Sequence, residues 1–425
     1  TYPDAPKSYT PESPAVLRAR KCNYEPRRQV EERLRILSAM GHPADKVELI
    51  IMGGTFLALP EEYQYQFIKE CYDGLNGSQS PSLEVAKQLN EVADHRCVGL
   101  CIETRPDWCR EEEVRRMLEF GTTRVELGVQ TLDDDIYRLV RRGHTVAEVV
   151  RATKLLKDYG LKVYYHWMPG LPGATPEYDL ELTHRLFGDE SFRPDGIKLY
   201  PTLVIAGTEL ERWYRENRYQ PYPMAEMRDL MINIKTLIPG YVRIPRVMRD
   251  IPDKFIVAGC KDLALRSSLK KRMEQMGISC NCIRCREYGH RRRDGWKIGK
   301  PQLKRLDYEA SGGREVFLSF EDAMGTLFGL LRMRIDTSAP GNGAAAMVRE
   351  LHVFGSEVPL GEQRAEAAQH RGLGGELLKE AERIATVEFQ AGKVAVISGV
   401  GAREYFRSEC GYELEGAYMV KKLTG

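Results

Sequence analysis

Residues 124–129 read Arg-Val-Glu-Leu-Gly-Val, a short apolar run of the length that a buried strand needs. Five similar runs occur on either side of it. They are 47–52 (VELIIM), 97–102 (CVGLCI), 162–168 (KVYYHWM), 195–200 (DGIKLY) and 241–248 (YVRIPRVM). Stretches with helical spacing of apolar residues accompany them, such as 27–40 and 146–159. Strands that alternate with helices predict crossover connections and a parallel sheet.

Six strand–helix units are fewer than the eight of a closed barrel, so a partial (β/α) barrel and an open doubly wound sheet both fit this α/β pattern. In either fold the functional groups lie at the carboxyl ends of the strands. These ends are rich in polar and glycine residues, namely Gly53-Gly54-Thr55, Glu103-Thr104-Arg105, Gln130, Pro169-Gly170 and Lys198 to Tyr200. We therefore expect a rim lined by ligand-binding groups.

The composition excludes several classes of protein. Of the 425 residues, 42% are hydrophobic and 29% are charged, which suits two or three folded domains rather than a disordered chain. No run approaches the roughly 18–20 apolar residues of a membrane span, and no signal peptide is visible. The ten cysteines are mostly scattered, which favours a reducing cytoplasm over a disulfide scaffold. Because the chain opens at Thr1 without a methionine, we expect further residues before it.

Residues 261–305 form a basic segment, with 14 Lys and Arg against 4 Asp and Glu, while the remainder of the chain carries a net charge of −8. Cations interleaved with Tyr288 and Trp296 suit the phosphates and bases of RNA, although a solvated charged face is the alternative. The predicted RNA-binding residues are Arg284, Arg286, Arg291, Arg292, Arg293, Lys297, Lys300, Lys304 and Arg305, with Arg243, Arg246 and Arg249 as a weaker extension.

Within this segment, Cys280, Cys282 and Cys285 crowd into six residues. Thiolates at such short spacing can wrap one metal ion, and zinc is favoured. Cys109 and His290 are the candidates for a fourth ligand, and the sequence does not choose between them. An iron–sulfur cluster is the alternative, since three thiolates leave one iron position open.

The residues from 314 to 425 show a second α/β pattern, and Gly312-Gly313 before them predicts a domain boundary. We predict strands at 315–319, 326–335, 346–354, 393–398 and 417–422, and helices at 371–388 and 402–409. A glycine-rich loop, Gln369-His370-Arg371-Gly372-Leu373-Gly374-Gly375, opens the longer helix. Backbone N–H groups at such a helix start can face a pyrophosphate. An ordinary glycine-rich loop is the alternative.

This loop resembles the pyrophosphate-binding loop of the GNAT acetyltransferases, because a strand at 350–354 precedes it and Tyr405-Phe406 follows. The whole chain in turn resembles the Elongator catalytic subunits, which join a radical S-adenosylmethionine barrel to an acetyltransferase domain. The motifs that carry this resemblance are 46–56 (KVELIIMGGTF), 102–107 (IETRPD), 124–130 (RVELGVQ), 166–173 (HWMPGLPG), 198–202 (KLYPT), 249–252 (RDIP), 349–353 (RELHV) and 395–401 (AVISGVG). The three-cysteine loop suggests a bacterial or archaeal type.

The resemblance implies an architecture and a reaction. We expect a radical-SAM-type partial barrel in residues 1–260, a zinc-binding basic linker in 261–312 and a GNAT-type domain in 313–425. The implied activity is carboxymethylation of C5 of the wobble uridine of tRNA. In that reaction a 5′-deoxyadenosyl radical takes hydrogen from the methyl group of acetyl-CoA, the carbon radical adds to the base, and the thioester is hydrolysed.

Two other functions stay open: a protein lysine acetyltransferase with an inert barrel, and a non-catalytic tRNA-binding module. The implied partner is tRNA, with a homo-oligomer or Elongator-type subunits possible and no role for DNA or a membrane. The implied cofactors are acetyl-CoA, S-adenosylmethionine, zinc and a [4Fe–4S] cluster. The three cysteines that hold this cluster are expected before Thr1, since Cys97, Cys101 and Cys109 are not spaced to replace them.

The resemblance also implies roles for individual residues. Lys198, Tyr405 and His352 are the catalytic candidates, although Lys198 could belong to a buried ion pair and His352 to the core. Phe406 stands where many relatives have a second tyrosine. The predicted cofactor-binding residues are Gly53, Gly54, Thr55, Glu103, Glu126 and Gln130 for S-adenosylmethionine and Glu350, Leu351, His352, Val353, Gln369, His370, Arg371, Gly372, Leu373, Gly374, Gly375, Tyr405 and Phe406 for acetyl-CoA. The carboxylates could equally form structural salt bridges within the barrel.

Overall fold

The computed structural model describes residues 5, 9–262, 264–336, 345–355 and 372–423. Within this described part of the chain, the first half contains a five-stranded parallel sheet in the order β1-β2-β3-β4-β5. Its strands are β1 (Lys46–Ile51), β2 (Arg96–Thr104), β3 (Arg124–Gln130), β4 (Lys162–Trp167) and β5 (Gly196–Leu199). Each strand lies beside its predecessor, so the sheet winds in one direction as a partial barrel and is not doubly wound. The predicted fold class is confirmed.

Helices cover the outer side of this half. They are α1 (Pro14–Lys21), α2 (Pro26–Ala39), α3 (Glu61–Asn76), α4 (Leu83–Asn90), α5 (Glu111–Glu119), α6 (Asp134–Leu139), α7 (Val146–Asp158), α8 (Pro176–Gly188), α9 (Glu209–Arg215), α10 (Met224–Thr236), α11 (Leu265–Gln275), α12 (Ile283–Arg286) and α13 (Tyr288–Arg293). The predicted helix at 146–159 shows how local chemistry sets the bounds. Thr145 and Glu148 form a reciprocal capping box at its start, and Gly160 at φ 79° follows its end.

The sixth predicted strand, 241–248, is not a strand. It makes isolated parallel bridges to β5 at Arg243 and Val247. Pro245 lies between them and has no N–H to donate, so a regular ladder cannot run through this segment. A short antiparallel pair, β6 (Leu203–Ile205) and β7 (Ile256–Gly259), follows β5 instead.

The second half is built on a seven-stranded sheet in the order β13-β14-β12-β11-β10-β9-β8, again counted over the described ranges. Its elements are β8 (Gln302–Ala310), β9 (Gly313–Glu321), β10 (Leu327–Asp336), β11 (Ala345–Val353), α14 (Leu373–Val387), β12 (Lys393–Val396), α15 (Arg403–Cys410), β13 (Glu413–Glu415) and β14 (Tyr418–Lys422). Strand β8 pairs with β9 along its whole length. The predicted boundary at Gly312-Gly313 is therefore wrong, because these glycines belong to the turn of a β-hairpin.

The two halves share a continuous core. Phe317, Leu330, Ile397 and Val400 of the second half pack into the same buried cluster as the barrel. A loop after β12 approaches the barrel so closely that a Cβ on Gly399 would overlap the backbone of Val98. The position of the second sheet is thus fixed against the first strands of the barrel. No described helix is both long enough and apolar enough to cross a membrane.

Candidate functional site

A cavity of about 370 Å³ opens at the carboxyl ends of the barrel strands. The predicted residues Gly54, Thr55, Glu103, Glu126 and Gln130 line it. Gly53 and Gly54 follow β1 at φ 144° and 92°, which only glycine adopts readily, so the turn cannot carry side chains that would narrow the opening. The polar strand ends that we expected to form a rim therefore line a cavity.

Glu103, Glu126 and His166 line the cavity from three different strands, and Lys198 on a fourth strand contacts the two glutamates. Lys198 on β5 forms ion pairs with Glu126 on β3 and, at 3.3 Å, with Oε1 of Glu103 on β2. Nε2 of His166 on β4 lies 3.0 Å from Oε2 of Glu126. Parallel strands bring these groups together because their carboxyl ends meet at one edge of the sheet.

The protonation states of this cluster follow from its contacts. Burial alone would raise the pKa of Glu126, but His166, Lys198 and Arg124 outweigh it and hold the pKa well below its usual range. Burial alone would lower the pKa of Lys198, but Glu126, Tyr200 and Glu103 raise it above the ordinary lysine value. The lysine is therefore a permanent cation between two carboxylates at neutral pH.

One carboxylate oxygen in this cluster receives no hydrogen bond from the part of the chain that the structure describes. Among the described residues, Oε1 of Glu126 has no hydrogen-bond donor, although Nε of Arg124 lies 3.5 Å away as an ion-pair partner and the side chain is 1% exposed. A buried acceptor without a donor is costly, so a bound ligand with an N–H or O–H group would stabilise it. Glu103, Glu126 and His166 are also close enough to hold a metal ion, but the ammonium of Lys198 already lies between the two carboxylates.

A second part of the cavity favours anions. The guanidinium of Arg142 donates to the backbone O of Gly128 and has no carboxylate partner within the described ranges. Burial and the neighbouring Arg105 lower the pKa of Arg142 to about 10. A Cβ on Gly128 would overlap this guanidinium, which explains the glycine in the motif at 124–130. An anionic group of a ligand would relieve the repulsion between the two arginines.

Gln130 adopts φ 73° at the end of β3, a backbone conformation that residues other than glycine rarely take. Strained residues of this kind cluster where a binding site requires a particular orientation. The sequence marked this position as polar but gave no sign of the strain.

The predicted acetyl-CoA site lies where two parallel strands separate. Strand β12 pairs with β11 only as far as Val348, although β11 continues to Val353. Helix α14 begins beside this gap after Gly372 at φ 73°. The hydroxyl of Tyr405 lies 3.5 Å from where a Cβ on Gly374 would be, so it faces the helix start. A gap next to a helix N-terminus suits an anionic ligand.

Other predicted residues of this site have different positions. The side chains of Leu373 and Phe406 are buried in the core of the second half, so a contact of either residue with a ligand would be made by its backbone and stays a prediction. Glu350 pairs with Lys162 of the barrel and with Arg332 on the neighbouring strand β10, and its predicted contact with acetyl-CoA stays a prediction. His352 is exposed, and the centroid of its ring lies 4.3 Å from the centroid of the Phe354 ring. Leu351 and Val353 beside it are half-buried. Gln369, His370 and Arg371 lie outside the described residues, and Gly375 adjoins open space.

The three cysteines of the basic segment meet as predicted. The sulfur atoms of Cys280, Cys282 and Cys285 lie within 4.8 Å of one another. The buried Lys235 on α10 lies close by; burial alone would lower its pKa, but the three thiols raise it. Neither predicted fourth ligand joins this group. Cys109 is fully buried in the barrel core, where its backbone O accepts from Arg151, and is therefore a wrong prediction.

The predicted RNA-binding residues divide into two sets. Several are engaged within the protein: Arg286 pairs with Glu321, Arg291 donates to the backbone of Met324, Arg243 pairs with Glu287, and Arg305 pairs with Asp307 and Glu388. Burial excludes Arg286 and Arg291 from RNA contact, so these two predictions are wrong. Arg292, Arg293, Lys297, Lys300 and Lys304 are exposed, Arg284 is half-buried, and Arg246 and Arg249 line the barrel cavity.

Comparison with known proteins agrees with this architecture. Residues 7–186 match the model of the Radical SAM superfamily, and residues 194–275 match that of the Radical_SAM C-terminal domain. A protein of Dehalococcoides mccartyi named tRNA uridine(34) acetyltransferase is 61% identical over all of this chain and 93% of its own length. Human Elongator complex protein 3 is 43% identical over 98% of this chain and 77% of its own length.

Among solved structures, the archaeal Methanocaldococcus infernus Elp3 with N-terminus deletion (1-46) superposes with a TM-score of 0.90 at 47% identity, covering 97% of both chains. The chain therefore belongs to the family of tRNA uridine(34) acetyltransferases and Elongator complex protein 3, within the Radical SAM superfamily. The resemblance predicted from the sequence is confirmed.

Proposed function

We propose that this protein carboxymethylates C5 of the wobble uridine of tRNA, using acetyl-CoA and S-adenosylmethionine, and that tRNA stimulates its hydrolysis of acetyl-CoA. The names of its relatives support uridine 34 of tRNA as the target. The observation that carries the proposal is the coexistence of two ligand sites in one chain: the charged barrel cavity and the gap between β11 and β12. An enzyme that only transfers acetyl groups would need only the gap between β11 and β12.

The barrel cavity fits S-adenosylmethionine by its chemistry. Arg142 would pair with the carboxylate of the methionine moiety, and the free acceptor of Glu126 would take a hydrogen bond from its amine or ribose. Bound with its [4Fe–4S] cluster, this cofactor supplies hydrogen-abstraction chemistry. Lys198 pairs with Glu103 and Glu126 and keeps both side chains in place, and we assign it this positioning role.

The gap in the second sheet would hold acetyl-CoA. Backbone N–H groups at the start of α14 favour its pyrophosphate, and the Tyr405 hydroxyl is placed to donate to the thioester or its leaving group. Burial, followed by Cys410, raises the pKa of Tyr405 to about 12, so the hydroxyl keeps its proton at neutral pH.

The cysteine triad is a separate site in this proposal. None of the described residues that line the barrel cavity is a cysteine, so a metal held by Cys280, Cys282 and Cys285 would not touch a ligand there. Zinc at this position would tie α10, whose Lys235 lies beside the cysteines, to the basic segment.

The test uses the product of the complete gene, reconstituted with iron and sulfide. The protein is incubated with acetyl-CoA, S-adenosylmethionine and tRNA, and the digested tRNA is analysed by mass spectrometry. The expected result is a 5-carboxymethyl uridine at the wobble position that disappears when either small molecule is omitted. Acetyl transfer to peptides without tRNA would favour the protein acetyltransferase, and tRNA binding without turnover would favour the binding module.

A further inference from the structure

The mouth of the barrel cavity is surrounded by arginines outside the predicted basic segment. Arg18 on α1 and Arg33 on α2 line it together with Arg246 and Arg249. Both Arg18 and Arg33 are exposed, so they lie at the opening and not on the floor. Helix α1 is held beside the 246–254 segment by an ion pair of Lys254 with Glu12 at 2.5 Å. We define these four arginines as the arginine collar.

The two helices of the collar distribute their charge unevenly. Between Pro14 and Ala39 there are seven basic and three acidic residues. The three glutamates are engaged by Lys21, Arg27, Arg28 and Arg35. Within the described part of the chain, Arg18 and Arg33 have no carboxylate within ion-pair distance. In that part of the chain, Arg18 and Arg33 are therefore cations without an acidic partner that line the cavity.

The collar has little internal compensation. Three carboxylates line the cavity among the described residues. Asp250 lies beside the collar and pairs with Arg246 at 2.7 Å, whereas Glu103 and Glu126 lie deeper and pair with Lys198. Burial, then Arg33, lowers the pKa of Arg18, as expected for cations that repel one another. Cations that come from α1, α2 and the 246–250 segment are spread around an opening. A small anion could reach only a part of them, whereas a polyanion could contact the whole collar.

We propose that the arginine collar binds the phosphodiester backbone of the RNA substrate on both sides of the nucleotide that enters the cavity. This inference rests on the proposed function and adds an RNA-binding surface on α1 and α2, separate from the basic segment. Contacts to phosphates carry no sequence information and fix the register of the RNA relative to the cavity.

The test compares two double variants with the same change in charge on the same helical hairpin. One is Arg18→Gln/Arg33→Gln in the collar. The control is Arg28→Gln/Arg35→Gln, which removes two exposed arginines on α2 that do not line the cavity. The probe is an anticodon stem-loop RNA, and its affinity is measured by fluorescence anisotropy over a series of salt concentrations. Isothermal titration of S-adenosylmethionine and thermal unfolding are recorded for each protein.

The collar variant is expected to bind RNA about tenfold more weakly and to lose about one to two from the slope of log K against log salt. The control should change much less, and the titration of S-adenosylmethionine shows whether the collar variant acts on RNA or on the ligand in the cavity. Equal losses in both variants would overturn the proposal, because only the overall charge would then matter. The proposal would also be overturned if the collar variant lost S-adenosylmethionine binding but bound RNA normally. It would be overturned as well if a poly-glutamate peptide bound the wild-type protein as tightly as RNA does and lost the same affinity in the collar variant. Absence of RNA binding by the wild-type protein would instead refute the proposed function.

Discussion

Lys198 determines the electrostatics of the barrel cavity at the scale of single residues. Its ammonium is the cation that Glu103 and Glu126 share, and all three side chains are largely buried. Replacing Lys198 with Met would leave two carboxylates close together without that cation. We expect a loss of roughly 3 kcal/mol in the free energy of unfolding and at least tenfold weaker binding of S-adenosylmethionine. Urea denaturation and isothermal titration measure these two effects.

The control for this prediction removes one of the repelling charges as well. In Lys198→Met/Glu103→Gln a single buried carboxylate remains, and it keeps His166 as a neighbour. The double variant should recover much of the stability that the single variant loses. If the two variants are equally stable, repulsion between the carboxylates is not the cause of the loss.

Some site residues could be predicted from the sequence and others could not. Glu103, Gln130 and Lys198 were predicted at the rim because the ends of their strands could be read from apolar runs, whereas Glu126 lies inside β3 and was predicted only from the resemblance to the family. His166 was missed as a cavity residue, because it sits within the apolar run 162–168 and only the pleat of β4 turns it inward. Cys109 failed as a ligand because spacing along the chain does not reveal that a residue is buried in another element.

At the scale of elements, the accuracy of prediction follows burial. The five barrel strands were found within about two residues because buried parallel strands are apolar throughout. Strand β8 was missed because it is an edge strand whose residues 302–306 are all exposed, so its sequence carries charge and no periodic pattern. The same lack of signal made the Gly312-Gly313 turn look like a domain boundary.

Gly399 tests how one loop docks the second half onto the barrel. Its φ of −60° is open to any residue, so replacement by Ala adds no backbone strain. The added Cβ would overlap the backbone of Val98, which cannot move without disturbing β2. We expect Gly399→Ala to lower the free energy of unfolding by roughly 1–3 kcal/mol, the usual effect of overpacking.

The matched control is Gly392→Ala, because a Cβ on Gly392 would meet no atom within 4 Å. Thermal unfolding of the two variants gives the comparison. The docking role of the loop would be refuted if both variants melted at the same temperature as the wild type.

At the scale of the whole molecule, the two halves are joined by buried ion pairs. Arg349 on β11 is fully buried, and its guanidinium donates to Asp195 of the barrel at 2.6 and 2.9 Å and to Glu315 on β9 at 3.0 Å. It also donates to the backbone O of Leu161 at 2.9 Å. The buried carboxylate of Asp195 in the barrel is therefore paired with Arg349 and Arg332 of the second half, so the barrel alone would leave it without these two cations. This arrangement fixes the barrel cavity relative to the gap between β11 and β12.

Replacing Arg349 with Met should destabilise the whole protein, because Asp195 and Glu315 would stay buried with one cation fewer. We expect a loss of roughly 3–5 kcal/mol at neutral pH, measured by urea denaturation. Burial alone would raise the pKa of Asp195, but Arg349, Lys157 and Arg332 hold it below its ordinary value. The stabilisation by this carboxylate is therefore present above about pH 4 and is lost as the pH falls towards the folded-state pKa, so the difference between variant and wild type should shrink on acidification.

The control for this last prediction is Arg383→Met on α14. Arg383 also makes a double contact with a carboxylate, Glu380, but its side chain is 49% exposed. Exposed pairs of this kind contribute at most about 1 kcal/mol. If the two substitutions cost the same, or if the loss from Arg349→Met is independent of pH, the buried pairs do not hold the halves together. A large loss of stability that shrinks at acidic pH, found for Arg349→Met and not for Arg383→Met, would show that the two halves of the chain form one folding unit.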